Sequence, residues 1–123
     1  MSMTVTIWHN PRCSKSRATL AILQENGIEP AIVTYLDTAP GTEEIKNTLS
    51  LLGMDSAREL MRKGEAEYKQ NELGNPALSE DQLISAMHEH PRLIERPIVF
   101  AAGKASIGRP PESVLEIIPD NAG

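Results

Sequence analysis

The feature that most constrains the fold is a strand–helix–strand pattern in the first third of the chain. Residues 4–8 and 31–36 are rich in β-branched and aromatic residues, and each segment predicts a strand. Between them, apolar residues at helical spacing run from Ser14 to Asn26, and Gly27 ends the helix. Two strands joined by such a helix pair in parallel through a right-handed crossover. The chain therefore begins with a βαβ unit.

Helical patterns fill the middle of the chain, over about residues 42–92. The first covers Thr42–Leu52, with Thr42 as the expected N-cap and Gly53 as the stop. Shorter helices are predicted over residues 55–62 and 65–71. A further helix begins at a capping box formed by Ser79 and Gln82, and it runs to about residue 90. We interpret this region as a helical insert.

A hairpin and a final helix complete the chain. Ile98–Ala101 predicts a strand, Gly103-Lys104 a turn, and residues 105–107 a short partner strand. Pro110 and Pro111 open the last helix, and its buried face is expected at three apolar residues, Val114, Leu115 and Ile118. The order β-α-β, helical insert, β-β-α with a mixed sheet is typical of the thioredoxin-like α/β fold. We expect one such domain over residues 1–123.

Composition excludes several classes of function. The formal net charge of −5 disfavours nucleic acid and acidic membranes as partners. No segment approaches the roughly 18 apolar residues of a membrane helix, and the N-terminus does not resemble a signal peptide. A single cysteine allows no internal disulfide, which favours the reducing cytoplasm. His88 and His90 are interpreted as surface residues, and no set of residues has the spacing of a metal site. We also expect no bound cofactor, and we expect the protein to be a monomer.

Cys13 is the strongest candidate for a reactive group. Most isolated cysteines are buried and inert, but Cys13 lies in a proline-containing loop between a strand and a helix start. Helix N–H groups stabilise an anion there, and Arg12 and Lys15 add positive charge. We therefore expect its pKa below the value of about 8.5 for a free thiol. The same N–H groups can hold an oxyanion. Ser16 replaces the second cysteine of a dithiol oxidoreductase, so an external thiol must complete any redox cycle.

Three arginines are candidates for binding such an oxyanion. Arg62 is expected to end a helix, whereas Arg96 and Arg109 stand next to prolines in constrained segments. A guanidinium offers paired N–H donors and stays charged, which suits a tetrahedral dianion. His9 lies four residues before Cys13. It polarises the thiol or orients a ligand, or it only packs the loop as a partly exposed side chain. The sequence leaves these interpretations open.

Four blocks of the sequence resemble the glutaredoxin-dependent arsenate reductase family. They occur in order over about residues 4–118, and the similarity is greatest to a short chromosomal branch of the family found in bacteria. The blocks are His9-Asn-Pro-Arg-Cys-Ser-Lys-Ser-Arg17, Glu59-Leu-Met-Arg-Lys63, Arg96-Pro-Ile-Val99 and Gly108-Arg-Pro-Pro-Glu112.

The resemblance implies a mechanism as well as the fold. Cys13 would attack arsenate and His9 would lower the pKa of the thiol. The oxyanion would be bound by Arg62, Arg96 and Arg109. Glutathione would be the co-substrate, glutaredoxin the partner and arsenite the product. A thioredoxin-like fold also implies a cis peptide bond before Pro97, next to the reactive thiol.

Two other functions remain open at this point. A related thioredoxin-like family binds RNA polymerase and senses thiol stress, but its members typically carry Cys-X-X-Cys, and Ser16 argues against that switch. A glutathione-linked thiol oxidoreductase that acts on another substrate would have the same thiol and the same oxyanion site. The sequence does not separate this second alternative from an arsenate reductase.

Overall fold

The described part of the chain, residues 4–118 of a computed structural model, divides into two units. The first comprises the described residues up to Tyr35 and those from Arg96 onward, and the second comprises Leu36–Glu95. No helix within residues 4–118 is long and apolar enough to cross a membrane. The expectation that residues 1–123 form a single domain stays a prediction.

A four-stranded mixed sheet forms the centre of the first unit. Its strands are β1 (Val5–Trp8), β2 (Ala31–Val33), β3 (Ile98–Ala101) and β4 (Lys104–Ile107), in the spatial order β2-β1-β3-β4. β1 pairs in parallel with β2 and antiparallel with β3, and β3 and β4 form an antiparallel hairpin. This is the thioredoxin-like arrangement, so the predicted fold class is confirmed. The second strand is shorter than predicted, because the pairing with β1 ends at Val33.

Helix α1 (Ser14–Glu25) provides the crossover between β1 and β2. Its C-cap is Asn26, and Gly27 follows as the predicted stop. The positive φ of Gly27, +77°, is a conformation that glycine adopts without steric cost. The buried core of this unit consists of apolar residues from the sheet, from α1 and from the C-terminal segment: Val5, Ile7, Leu23, Val99, Ala101 and Val114. The hydrophobic effect of burying these residues fixes α1 over the sheet.

The C-terminal segment differs in type from the prediction. Pro111–Ile117 is a 3₁₀ helix, with Pro110 immediately before it. With three residues per turn, residues three apart lie on one face. Ile117 therefore joins Val114 on the core side. Leu115 is half-buried, but it is not among the side chains packed against this core. Ile118 packs against the core as predicted.

The second unit is helical, as predicted. Its α-helices are α2 (Thr42–Leu52), α3 (Ala66–Gln70) and α4 (Glu80–Glu89). A 3₁₀ turn at Ala57–Leu60 lies between α2 and α3, and another at Pro91–Leu93 follows α4. Its fully buried side chains include apolar residues from every part except α3: Ile45, Leu60, Leu83, Met87, Leu93 and Ile94. The stop at Gly53 and the capping box of Ser79 and Gln82 are both confirmed.

Two details of the second unit correct the sequence analysis. The N-cap of α2 is Gly41 rather than Thr42, because the Gly41 carbonyl already accepts the first helical bond from Ile45. The helix expected over residues 55–62 is only the turn Ala57–Leu60. Met61 leaves the helical conformation and forms an antiparallel bridge with Ile94, so Arg62 lies beyond the turn instead of ending a helix.

Gly108 lies at the end of β4, where the backbone packs closely against α1 and Pro97. Its N–H donates to the Pro97 carbonyl at 2.9 Å. A Cβ atom built on Gly108 would stand 2.9 Å from Pro97 Cγ and would overlap Thr19 Oγ1. A side chain at this position therefore requires Thr19 or Pro97 to shift.

Gly108→Ala is therefore expected to lower the free energy of unfolding by about 1–3 kcal/mol, the usual cost of overpacking. Urea denaturation followed by circular dichroism measures this change. Gly64→Ala is the matched control, because a Cβ there meets no heavy atom within 4 Å, and it is expected to be neutral or slightly stabilising. A Gly108 variant as stable as the parent protein would contradict the close packing of Gly108 against Thr19 and Pro97.

Candidate active site

Cys13 occupies the N-cap of α1, with extended backbone angles of φ −99° and ψ 124°. Its N–H donates to the Asn10 carbonyl at 3.0 Å, and its carbonyl accepts the Arg17 N–H at 3.0 Å. The half-buried sulfur accepts from the main-chain N–H groups of Ser16 and Lys15. The predicted position of the thiol at a helix start is confirmed.

This environment changes the acidity of the thiol. Burial raises the pKa of Cys13, but the Ser16 N–H, the charge of Arg96, the Lys15 N–H and a side-chain hydrogen bond from Arg96 together outweigh burial and lower the pKa below its ordinary value. The direction predicted from the sequence is confirmed. The cation that lowers the pKa is Arg96 instead of Arg12, and Lys15 acts through its backbone N–H.

His9 follows β1 and is buried, with an exposed fraction of 7%. Its Nδ1 atom lies 2.6 Å from Ser16 Oγ. Burial and the charge of Arg17 lower the pKa of His9 below the ordinary 6.5, which favours the neutral ring at neutral pH. A neutral His9 adds no positive charge beside Cys13. Any effect of His9 on bound anions must therefore come from hydrogen bonding.

Arg96 and Arg109 lie together in the first unit. Arg96 donates to the Cys13 sulfur. The Arg96–Pro97 peptide bond is cis, and this prediction from the sequence is confirmed. Arg109 Nε donates to the Arg96 carbonyl at 3.1 Å, which holds the Arg109 guanidinium against this segment. The structure thus gathers Cys13, His9 and two of the three candidate arginines in one unit.

Arg62 belongs to the second unit and is held by a carboxylate. Its Nη2 atom lies 3.0 Å from Glu65 Oε2, and Arg92 Nη2 lies 3.5 Å from the other oxygen of the same group. The main-chain N–H of Arg62 also donates to the Leu93 carbonyl at 2.7 Å. The role of Arg62 in binding an oxyanion stays a prediction. Within residues 4–118 no cluster of His, Cys, Asp or Glu is suited to a metal ion.

Three contributors to these clusters were not identified from the sequence. The Ser16 hydroxyl contacts His9, Arg17 donates to the Pro11 carbonyl at 2.8 Å, and Glu65 pairs with Arg62. The spacing of three residues between Arg62 and Glu65 was a signal for the last of these, since side chains at that separation are often neighbours. No local signal indicates the contact of Ser16 with His9.

Most of the chain matches the model of a known protein family. The model of the ArsC family matches residues 8–117. The chain belongs to the ArsC family.

Curated relatives and solved structures agree with this membership. The chain is 49% identical over 114 residues to the arsenate reductase of Neisseria meningitidis serogroup B, covering 93% of this chain and 97% of that protein. It is 57% identical over 118 residues to Escherichia coli YfgD, covering 96% and 99%. The arsenate reductase structure from Vibrio cholerae superposes with a TM-score of 0.94 at 52% identity, covering 96% of this chain and all of that one.

The contribution of Arg96 to the acidity of Cys13 is directly measurable. Arg96→Gln removes a positive charge and a hydrogen bond from the thiolate, so the pKa of Cys13 is expected to rise. The rate of alkylation by iodoacetamide at neutral pH then falls, and its pH profile moves to higher pH. Arg12→Gln is the matched control, since Arg12 is the exposed neighbour of Cys13. A larger shift in the control than in Arg96→Gln would contradict the assignment of this role to Arg96.

Proposed function

We propose that this ArsC family member is an arsenate reductase in which the Cys13 thiolate attacks arsenate and external thiols complete the reduction. The observation that carries the proposal is the position of Cys13, whose lowered pKa comes from helix N–H groups and Arg96. The relatives named arsenate reductase at about half sequence identity over nearly the whole chain support the substrate.

The chemistry begins with a thiolate, because the thiolate and not the thiol is the nucleophile. The Cys13 sulfur forms a bond to As(V), and an arsenate oxygen leaves as water after protonation. Glutathione then binds As(V) through its sulfur, and a second arsenate oxygen leaves as water. A glutaredoxin thiolate attacks the glutathione sulfur, and the As–S bond to glutathione breaks with its electron pair staying on arsenic, which gives a mixed disulfide and As(III) on Cys13. Water then displaces the Cys13 thiolate from As(III). Over the cycle two thiols lose two electrons and become a disulfide. As(V) gains these electrons and leaves as arsenite.

The arginines would offset the repulsion between the thiolate and the arsenate. A thiolate and an arsenate dianion repel each other, and the whole chain carries a net charge of −5. Arg96 beside the sulfur and Arg109 bonded to the Arg96 main chain supply a local positive charge. Guanidinium groups suit this role because they stay charged and present paired N–H donors to a tetrahedral oxyanion. We include Arg62 as the third ligand of the oxyanion.

The external thiols follow from the cysteine content. The chain has one cysteine, and Ser16 stands where a resolving thiol would be. Reducing equivalents must therefore come from outside the chain, and glutathione with glutaredoxin in the cytoplasm provides them. No bound cofactor is required for this cycle.

Arsenate reduction with glutathione and glutaredoxin, measured as arsenite formed, tests the activity. The parent protein is expected to turn over, and Cys13→Ser is expected to lose all measurable activity because a hydroxyl is a far weaker nucleophile. Ser14→Ala, at an exposed position in the same turn, is the control and should retain activity. A parent protein with no arsenate reduction but a thiolate that reacts with other glutathione-linked substrates would favour the alternative thiol oxidoreductase.

The three arginines are tested by replacement with alanine. Each charge-assisted hydrogen bond contributes roughly 1.5–3 kcal/mol, so Arg62→Ala, Arg96→Ala and Arg109→Ala should each reduce kcat/KM for arsenate about 10- to 100-fold. Lysine at these positions should restore only part of the loss, because it lacks the planar fork.

Arg92→Ala is the matched control for Arg62, since both side chains pair with Glu65. It should stay within a few-fold of the parent protein. Equal losses for Arg62→Ala and Arg92→Ala would mean that the Glu65 ion pairs, and not contact with the oxyanion, explain the effect. Arg58 is unsuitable as a control, because its guanidinium binds the carbonyls of Leu73 and Asn75 and its loss would perturb the fold.

A further inference from the structure

The hydroxyl of Ser16 connects the end of β1 with the start of α1. Ser16 is fully buried, and its Oγ atom lies 2.6 Å from His9 Nδ1 and 3.0 Å from the Asn10 main-chain nitrogen. The Ser16 N–H is also one of the donors to the Cys13 sulfur. One residue therefore contacts the nucleophile through its main chain and the histidine through its side chain.

The donor and the acceptor in the hydrogen bond between Ser16 Oγ and His9 Nδ1 can be assigned by counting hydrogens. A serine hydroxyl has one hydrogen to donate and two lone pairs that accept. The Asn10 N–H can only donate, so Oγ accepts that bond. Among residues 4–118, His9 Nδ1 is the one remaining partner of this hydroxyl. If Nδ1 carried the ring proton, the buried hydroxyl hydrogen would have no acceptor, which is unfavourable.

We propose that Ser16 is a positioning residue that fixes His9 as the neutral tautomer with its proton on Nε2. The Ser16 O–H donates to Nδ1, and the opposite side of the ring then carries an N–H donor. The identity of the donor on His9 is thus set by a residue of α1.

This tautomer suits a site for anions. An Nε2–H group can donate to an oxyanion, whereas a bare Nε2 atom would present a lone pair and repel it. Burial and the charge of Arg17 lower the pKa of His9 and favour the neutral ring. In the neutral ring, the tautomer decides whether Nε2 donates to an anion or repels it. The assignment of Nε2–H as a donor to an arsenate oxygen rests on the proposed function, while the tautomer itself does not.

The tautomer is measured by long-range proton–nitrogen correlation spectra of the His9 ring, which distinguish a protonated from a bare ring nitrogen. In the full-length parent protein at neutral pH, Nε2 is expected to be protonated and Nδ1 bare. Ser16→Ala removes the donor, so Nδ1 should become at least partly protonated. Ser16→Thr keeps the hydroxyl and should retain the parent pattern. Ser14→Ala, with an exposed serine in the same turn, should also retain it.

Kinetics separate positioning from general structural damage. Ser16→Ala is expected to lower kcat for arsenate reduction by about 10- to 100-fold. Outright removal of a hydrogen-bond donor to an oxyanion costs about 100- to 1,000-fold, and the variant keeps His9 but no longer fixes its tautomer. The alkylation profile of Cys13 should change little, because the Ser16 main-chain N–H remains. Ser16→Thr should recover most of kcat. If Ser16→Ala lowers kcat and also shifts the pH profile of Cys13 alkylation by a comparable factor, the substitution has disrupted the whole loop. That result would overturn the proposal.

The spectra keep this inference distinct from the proposed function. A parent protein with Nδ1 protonated, or a Ser16→Ala variant with an unchanged tautomer, overturns the role of Ser16 whatever the substrate. The parent protein could show the expected tautomer and yet not reduce arsenate. That result would support the role of Ser16 and would reject arsenate as the substrate. If Ser16→Ala does not fold, the parent and Ser16→Thr spectra decide, since both must show a bare Nδ1.

Discussion

The stabilisation of a negative charge on Cys13 is the interaction on which the proposed chemistry depends. The sulfur accepts from two main-chain N–H groups at the start of α1 and from the Arg96 guanidinium. Burial alone would have the opposite effect and would favour the neutral thiol. The helix donors and Arg96 therefore stabilise an anionic nucleophile that is partly shielded from water. A solvent-exposed thiol would not be shielded in this way.

The rest of the first unit holds these groups in place. The pairing of β1 with β2 and β3 fixes the point at which His9 and the Cys13 loop begin. The packing of Gly108 against Thr19 and Pro97 fixes α1 relative to the segment that carries Arg96. The precision of the thiolate site therefore depends on the sheet, since the nucleophile and its cation come from opposite ends of the sequence.

Local signals explain which parts could be predicted from the sequence. The strand patterns, the glycine after α1 and the capping box at Ser79 each depend on residues that are close in the sequence. All three features are found in the structure. The helix start at Cys13 is also a local feature, so the lowered pKa of the thiol could be expected.

Contacts between distant residues account for the rest. Arg96 is far from Cys13 in sequence, so the nearby Arg12 was the more obvious cation. The bridge of Met61 with Ile94 ends a turn that helical periodicity alone would extend. A 3₁₀ rather than α geometry near Val114 changes which side chains face the core, and periodicity of apolar residues does not distinguish the two over so short a segment.

The most direct test of a thiolate beside an oxyanion site is protection of Cys13 from alkylation. The rate of reaction with iodoacetamide at neutral pH is measured with increasing arsenate, in the absence of glutathione. Arsenate is expected to slow the reaction to a saturating limit in the parent protein and to have much less effect in Arg109→Ala. A rate that does not change with arsenate in the parent protein, while Cys13 reacts rapidly, would show a reactive thiol without an oxyanion site and would contradict the account.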